Sequence, residues 1–396
     1  MVFGTNAAMP LALIIFLCTF GAMRYIWAHI RAIIDAYNGS LPLPHYLKEY
    51  YKRYPKLGSR DRRMLNDMAF SWYRCSKGLI NVDINKFEGN VKACLLLCNF
   101  KKTLNYLESN YEVAAIDFDY ERLFPQEVIF SMGITRAQWL HTLLGQPALF
   151  IRIRKNKPEI VRLLEEQHIP YQTINDACIS LPNGTKTDTL LPAASYVIQD
   201  ASSQQACAFF QPVKNEYWYD CCSGAGGKSL WLKDKEPSLK LTVSDIRKNI
   251  LHNLKERFNL YKHIQPTAYI IDATDKLALA TALSNAQFDN IICDVPCSGS
   301  GTWARAPEQL YFFDAGKQQN FPALQAKIAA NAAQYLKPGG KLYYITCSVF
   351  KAENEGVVEE IILNTGLKLI ESQLINGISN KADSLYVAVL GKDALL

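Results

Sequence analysis

The stretch Phe288–Thr302, Phe-Asp-Asn-Ile-Ile-Cys-Asp-Val-Pro-Cys-Ser-Gly-Ser-Gly-Thr, constrains the fold more than any other. Its first half, Asn290 to Cys293, is a short apolar run of the kind buried inside a parallel sheet. Asp294 stands where that strand ends, and Pro296 stops further pairing because it has no N–H to donate. Ser298 to Gly301 then form a loop with backbone freedom. An acid and a thiol, Asp294 and Cys297, are thereby delivered to the carboxyl edge of a sheet, where open α/β folds bind ligands. A second predicted strand, Lys341 to Thr346, ends the same way in Thr346-Cys347-Ser348.

Strands and helices alternate from Ala201 onward, which predicts a parallel sheet with helices on both faces. The expected strands are Tyr217–Asp220, Lys240–Ser244, Ala268–Ile271, Asn290–Cys293, Lys341–Thr346 and Leu385–Leu390. A helix with Leu324, Ile328, Ala332 and Leu336 on one face is expected to end at Lys337-Pro-Gly-Gly340. Upstream, residues 125–200 read as a small α+β module. It has a strand at Ala148–Arg154, a helix at Pro158–His168 and a turn at Asn183-Gly184. Residues 23–124 read as helical, with Ile26, Ile30, Ile33, Ile34 and Tyr37 on one face of the first helix.

Residues 1–22 carry no charge, yet their apolar run is shorter than the roughly 20 residues of a membrane span and lacks a basic leader. The expectation is that Met23 is the true start and that no membrane anchor is present. The net charge of +6 is unevenly placed. Between His45 and Leu79, nine Lys or Arg stand against three Asp or Glu, an excess equal to that of the whole chain. Lys48, Lys52, Arg53, Lys56, Arg60, Arg62 and Arg63 could be a solvated helix face or a polyanion-binding surface. A basic strand end, Arg152, Arg154, Lys155 and Lys157, is a second candidate for gripping phosphates. The eleven cysteines show no zinc-ligand spacing. Free thiols in that number fit a reducing, cytoplasmic compartment and no metal.

The first strand is followed by Asp220-Cys-Cys-Ser-Gly-Ala-Gly-Gly-Lys-Ser229, a glycine loop opening a helix. A phosphate-binding loop would need glycine where Cys222 stands, and a dinucleotide fingerprint would need Gly or Ala at Ser229. An S-adenosylmethionine site, which wants the glycines but no phosphate cradle, is the third reading. Asp245, ending the second strand, can accept both hydroxyls of a ribose. Asp272 ends the third strand and could meet an adenine amino group. Asp245, Asp272 and Asp294 at successive strand ends beside such a loop point to a nucleoside-type cofactor.

The segments Gln199-Asp-Ala-Ser-Ser-Gln204, Cys222 to Lys228, Asp294-Val-Pro-Cys297 and Thr346-Cys-Ser348 with Glu353-Asn-Glu355 resemble the RsmB-like (Fmu/Sun) family of RNA cytosine-5 methyltransferases. The likeness covers residues 123–396 and extends more loosely over the helical N-terminus, which is similar to a NusB-like domain. The family usually has Ala-Pro at Gly224-Ala225, Ala at Val295 and Pro-Glu at Lys351-Ala352. None of these departures removes a reacting group.

The resemblance implies a Rossmann-like methyltransferase sheet over 201–396, preceded by an α+β RNA-binding module and a NusB-like helical RNA-binding domain. It implies S-adenosylmethionine held by Cys222, Ser223, Gly224, Ala225, Gly226, Gly227, Lys228, Asp245, Arg247, Asp272 and Asp294. Cys347 is implied as nucleophile toward cytosine carbon 6, Cys297 as the thiol assisting release, and Asp294 as the group at ring nitrogen 3. The implied partner is RNA, and the protein is expected to act as a monomer. With no RNA-binding domain expected after the last strand, ribosomal RNA is favoured over transfer RNA by analogy. A non-catalytic RNA-binding or assembly factor keeping the cofactor fold is the reading from another class.

Overall fold

In the computed structural model, residues 11–80, 87–107, 116–314, 316 and 320–394 are described, with side chains from Arg24 onward. The chain divides into two compact units: residues up to Pro125 with Ala306–Phe313, and Gln126–Arg305 with Asp314–Leu396.

The first unit is helical. Its helices are Leu11–Ala36, Leu43–Arg53, Ser59–Cys75, Phe87–Leu97, Lys101–Leu107 and Pro307–Tyr311. Ile26, Ile30 and Ile33 of the first pack with Leu47, Tyr50, Leu65 and Met68 of the next two. Each such buried aliphatic side chain contributes about 1.5–3 kcal/mol relative to exposure. The expected core face of the first helix is buried, but the helix opens by Leu11, so Met23 lies within it. No described helix is long and apolar enough to cross a membrane.

Residues 306–313 correct the expected division of the chain, which left them with the methyltransferase sheet. Their aromatic side chains pack against the helices instead. Tyr311 and Phe312 lie 5.1 and 5.8 Å from the Tyr73 ring. Glu308, buried beside them, accepts from the Leu43 N–H at 3.1 Å and so caps a helix that has no side-chain cap of its own.

The second unit holds two sheets. The smaller is antiparallel: β1 (Leu149–Ile153), β2 (Gln172–Asn175), β3 (Cys178–Leu181) and β4 (Tyr196–Ile198), in the order β2-β3-β1-β4. The Asn183-Gly184 turn leads not into a strand but into the short helix Thr187–Leu190 that precedes β4. The larger sheet comprises β5 (Tyr217–Asp220), β6 (Lys240–Asp245), β7 (Thr267–Ile270), β8 (Phe288–Asp294), β9 (Leu336–Thr346), β10 (Lys368–Ile375) and β11 (Leu385–Gly391). Its order is β10-β11-β9-β8-β5-β6-β7.

The sheet is mixed rather than parallel. β5 to β9 pair in parallel, whereas β11 runs antiparallel to β9 and β10 antiparallel to β11. The helix before β9 ends at Ala333, and Lys337-Pro-Gly-Gly340 belongs to the strand. The reason is steric: a Cβ on Gly340 would sit 2.6 Å from the Asp289 carbonyl, where the β8–β9 register shifts. Because β5 lies between β6 and β8, the chain order reverses there. The parallel strands also share one carboxyl edge. A crevice at that edge is the general ligand position of such sheets.

Candidate active site

The glycine loop leaves β5 and enters the helix Gly227–Lys235. Its glycines have different duties. A Cβ on Gly226, whose φ is +78°, would meet Leu254 at 2.8 Å, so this residue lets the loop back onto the helix Lys248–Leu260. A Cβ on Gly227 would meet nothing within 4 Å, and one on Gly224 only the Arg247 guanidinium at 3.9 Å. The other side of the loop is therefore open to a ligand. Arg257 fixes the loop from outside by donating to the Ala225 carbonyl at 2.6 Å, a contact with no local sequence signal.

Asp245 lies at the crevice as expected, buried at the end of β6. It accepts from the Gly224 N–H at 3.0 Å and from Arg247 through both the backbone and the guanidinium. Burial pulls its carboxyl upward, but the Arg247 bonds and the Gly224 N–H outweigh this and hold it below its ordinary value. Arg247 is itself 59% exposed, so it can yield its place on the carboxylate. Ser223 bonds to the Ser244 carbonyl, tying the loop to β6. Cys222 lines the loop as a neutral thiol, pushed up by the neighbouring Cys221 and by burial. Asp272 is exposed just beyond β7, where it closes a turn by accepting from Thr274 at 2.9 and 2.7 Å.

Lys228 reaches across the crevice floor to Asp294, with Nζ 2.5 Å from Oδ2. Burial lowers the lysine's pKa, but Asp294, Cys207 and Asp220 together outweigh that, and the ammonium stays charged. Asp220 lies beneath this pair with its Oδ2 accepting from Ser229 at 2.7 Å. Ser229, which counted against a dinucleotide fingerprint, thus anchors a carboxylate. Burial, aided by the Asp294 charge, pushes Asp220 up to about 7 against the opposing pull of Ser229 and Lys228.

β8 and β9 are adjacent, and the loops at their tips bring the two expected thiols together: Cys297 and Cys347 Sγ lie 3.2 Å apart, both half-buried. Its bond to the Cys347 sulfur, burial and the Glu353 charge hold the Cys297 thiol well above the ordinary range. Cys297 therefore keeps its proton and can donate it to the neighbouring sulfur. Gly301 makes the approach possible. Its N–H donates to the Cys347 carbonyl at 2.9 Å, its own carbonyl accepts from Ser384 at 2.9 Å, and a Cβ there would lie 2.0 Å from the Ser384 carbonyl.

The basic strand end does not behave as expected. Arg152 is buried, donating to Gln199 at 2.9 Å and pairing with Asp234 at 2.7 Å. Arg154 grips the same Asp234 at 2.6 Å. Both guanidiniums are internal, so only Lys155 and Lys157 retain access to solvent at that end. Among the described residues, no group of His, Cys, Asp and Glu is placed to hold a metal ion.

The order reversal at β5 with the β10–β11 edge hairpin is a Rossmann-like arrangement with an antiparallel edge. PH0851, a solved protein, shares the fold with a TM-score of 0.71 and 18% identity over 98% of this chain and 100% of its own. NSun6 from Pyrococcus horikoshii does so with a TM-score of 0.55 and 15% identity, over 69% of this chain and 96% of its own. Residues 207–389, a little under half of the chain, match the family model for 16S rRNA methyltransferase RsmB/F. Curated relatives carry the name ribosomal RNA small subunit methyltransferase B. The protein of Xylella fastidiosa strain 9a5c is 32% identical over 44% of this chain and 40% of its own length. That of Shewanella oneidensis is 26% identical over 73% of this chain and 65% of its own. The chain thus aligns with between 40% and 65% of the length of these relatives.

Proposed function

We propose that this protein is an S-adenosylmethionine-dependent RNA cytosine-5 methyltransferase acting on small-subunit ribosomal RNA. The observation that carries the reading is the pair of thiols 3.2 Å apart at the tips of adjacent strands, beside the Lys228–Asp294 pair. Carbon 5 of cytosine is a poor nucleophile. A thiolate adding to carbon 6 makes carbon 5 electron-rich, which splits one hard step into easier ones. S-adenosylmethionine supplies an electrophilic methyl group when bound, and the open loop at Gly224–Gly227 with the Asp245 carboxylate fits its nucleoside end.

In this reading the Cys347 thiolate forms the bond to carbon 6, and Asp294, oriented by Lys228, meets ring nitrogen 3 through a shared proton that neutralises the charge developing there. Once carbon 5 carries the methyl group, water at the site takes its proton, the electron pair of that C–H bond re-forms the carbon 5–carbon 6 double bond and the Cys347 sulfur departs as a thiolate. Cys297 assists that release. The cytidine must be unpaired or flipped out, because carbon 6 is inaccessible within a stack. Methyl transfer from labelled cofactor to ribosomal RNA, followed by bisulfite sequencing, tests the reading. Transfer to transfer RNA alone would replace the substrate, and binding without transfer would leave an assembly factor.

The cofactor site has its own test. Asp245→Ala is expected to raise the cofactor Kd by roughly 30- to 100-fold, as expected when a charged hydrogen-bonding group is lost, while RNA affinity is unchanged. Parallel loss of both in calorimetry would indicate misfolding instead.

The helical unit is proposed as a NusB-like RNA-binding domain, with the small sheet as a further RNA-binding module. Support comes from a cavity of about 520 Å³ in the helical unit, lined by Lys48, Lys52 and Arg62 over Tyr51, Pro55 and Phe70. Cations beside apolar and aromatic walls suit single-stranded nucleic acid. Lys52, Arg53 and Lys56 are exposed nearby. Reversing all three charges is expected to weaken RNA binding and to reduce the slope of log K against log salt by about 2–3. An unchanged slope would make this face merely solvated.

A further inference from the structure

Glu353 is fully buried, 0% exposed, and neither composition nor spacing gives it a role. Its carboxylate sits between the two cysteine loops. Oε2 accepts from the backbone N–H of Ser298, next to Cys297, at 2.7 Å, and from the Gln325 amide at 3.1 Å. Oε1 accepts from the hydroxyl of Ser348, next to Cys347, at 2.8 Å. Each loop thus has one arm on the same carboxylate. The hydroxyls of Ser298, Ser300 and Ser348 close the gap, 3.1 to 3.3 Å from one another. Gln325 donates to the Pro296 carbonyl at 2.9 Å, and the Tyr344 hydroxyl donates to the Glu353 carbonyl at 2.6 Å, with Gln325 Oε1 3.1 Å away.

We propose that Glu353 is a positioning residue that sets the sulfur of Cys297 against that of Cys347, and through this spacing governs release of the methylated base. The release half rests on the cytosine-5 reading; the spacing half does not. A carboxylate suits the position because it only accepts, and the Ser298 N–H, Ser348 hydroxyl and Gln325 amide all donate to it. Truncation to alanine would strand the Ser298 N–H in a dry site, where an unmet donor has to find another partner by moving the loop. Glutamine keeps one acceptor for Ser298, and the Ser348 hydroxyl can turn to accept from its amide.

The spacing is measured without RNA or cofactor. Diamide, a diazene oxidant, takes two electrons and two protons from a thiol pair and becomes a hydrazine, so a disulfide forms only where two sulfurs can meet. The full chain should close the Cys297–Cys347 bond rapidly, seen by mass spectrometry as the loss of two hydrogens on the joined peptides. Glu353→Ala should close it at least tenfold more slowly, and Glu353→Gln within threefold of the parent. Should the alanine variant not fold, Ser348→Ala removes one arm of the carboxylate and is expected to slow closure about threefold to fivefold. Unchanged closure in a folded variant overturns the proposal. In single-turnover assays with unpaired cytidine RNA, Glu353→Ala should form the methylated adduct but release it at least tenfold more slowly, with KM and cofactor Kd within twofold. Equal loss of cofactor affinity, adduct formation and release would make the residue merely structural and overturn the proposed role. Absence of methyl transfer in the parent chain would sink the cytosine-5 reading while the disulfide rates still decide the spacing.

Discussion

The Cys297→Ala variant is expected to accumulate a denaturant-resistant, cofactor-dependent protein–RNA adduct, whereas Cys347→Ala should form none and transfer no methyl group. The two outcomes follow from the order of events. Bond formation at carbon 6 comes first and needs only the Cys347 sulfur, so removing Cys297 leaves attack and methylation possible. Elimination comes last, and without its assisting thiol the enzyme remains attached to its methylated product. The 3.2 Å spacing makes an effect of one residue on the bond of the other physically direct. Multiple turnover should fall by at least 10³-fold in both variants, at the upper range for loss of a covalent or proton-transfer group. Gel shift under denaturing conditions reads the adduct, and the double variant should show none. An adduct that builds up in Cys347→Ala and disappears when Cys297 is also removed would reverse the assignment.

Much of this site could be read from the chain because its reacting groups sit at the ends of apolar runs. Asp220, Asp245 and Asp294 each close a short buried strand, and in a parallel core those ends share one edge. β10 was missed for the complementary reason: all but its last two residues are exposed, including Leu369 and Ile370, so no apolar alternation marks it. Arg152 and Arg154 misled because the pattern of β1 gives their direction relative to the strand but not what covers that face. Asp234, some 80 positions later, supplies the partner. Glu353 belongs to a recognisable motif, yet the Ser298 N–H it anchors is 55 residues away, and only the folded sheet brings them together. Ser229 shows the opposite error. Judged against a nucleotide fingerprint it looked like a defect, while its bond to Asp220 depends on a strand–helix turn that residue type alone does not specify.

Asp220 carries the second large effect. Its carboxyl titrates at about 7 in the folded protein, against an ordinary value of 3.8. A raised acid binds its proton more tightly in the folded state, so its stability is full below pH 4 and is lost as pH rises through 7. A difference of that size corresponds to about 4 kcal/mol once both states are ionised. Asp220→Asn keeps an oxygen for the Ser229 hydroxyl and cannot ionise. Near pH 4 it should therefore match the parent. Its advantage should grow by about 1.4 kcal/mol for each pH unit up to 7 and then level off. For a unit of this size that means a thermal midpoint raised by about 10 °C at pH 8. Asp294, Lys228 and Asp245 face the same carboxylate, so the slope should persist in Asp245→Ala, levelling off at a slightly lower pH, and should extend to higher pH when Lys228, whose charge opposes the rise, is changed to methionine. Thermal melts of parent and variants between pH 4.5 and 9 provide the check. A constant difference across that range would mean that Asp220 does not titrate there, and a destabilised asparagine variant at pH 8 would mean that its charge supports the Lys228–Asp294 pair more than burial opposes it.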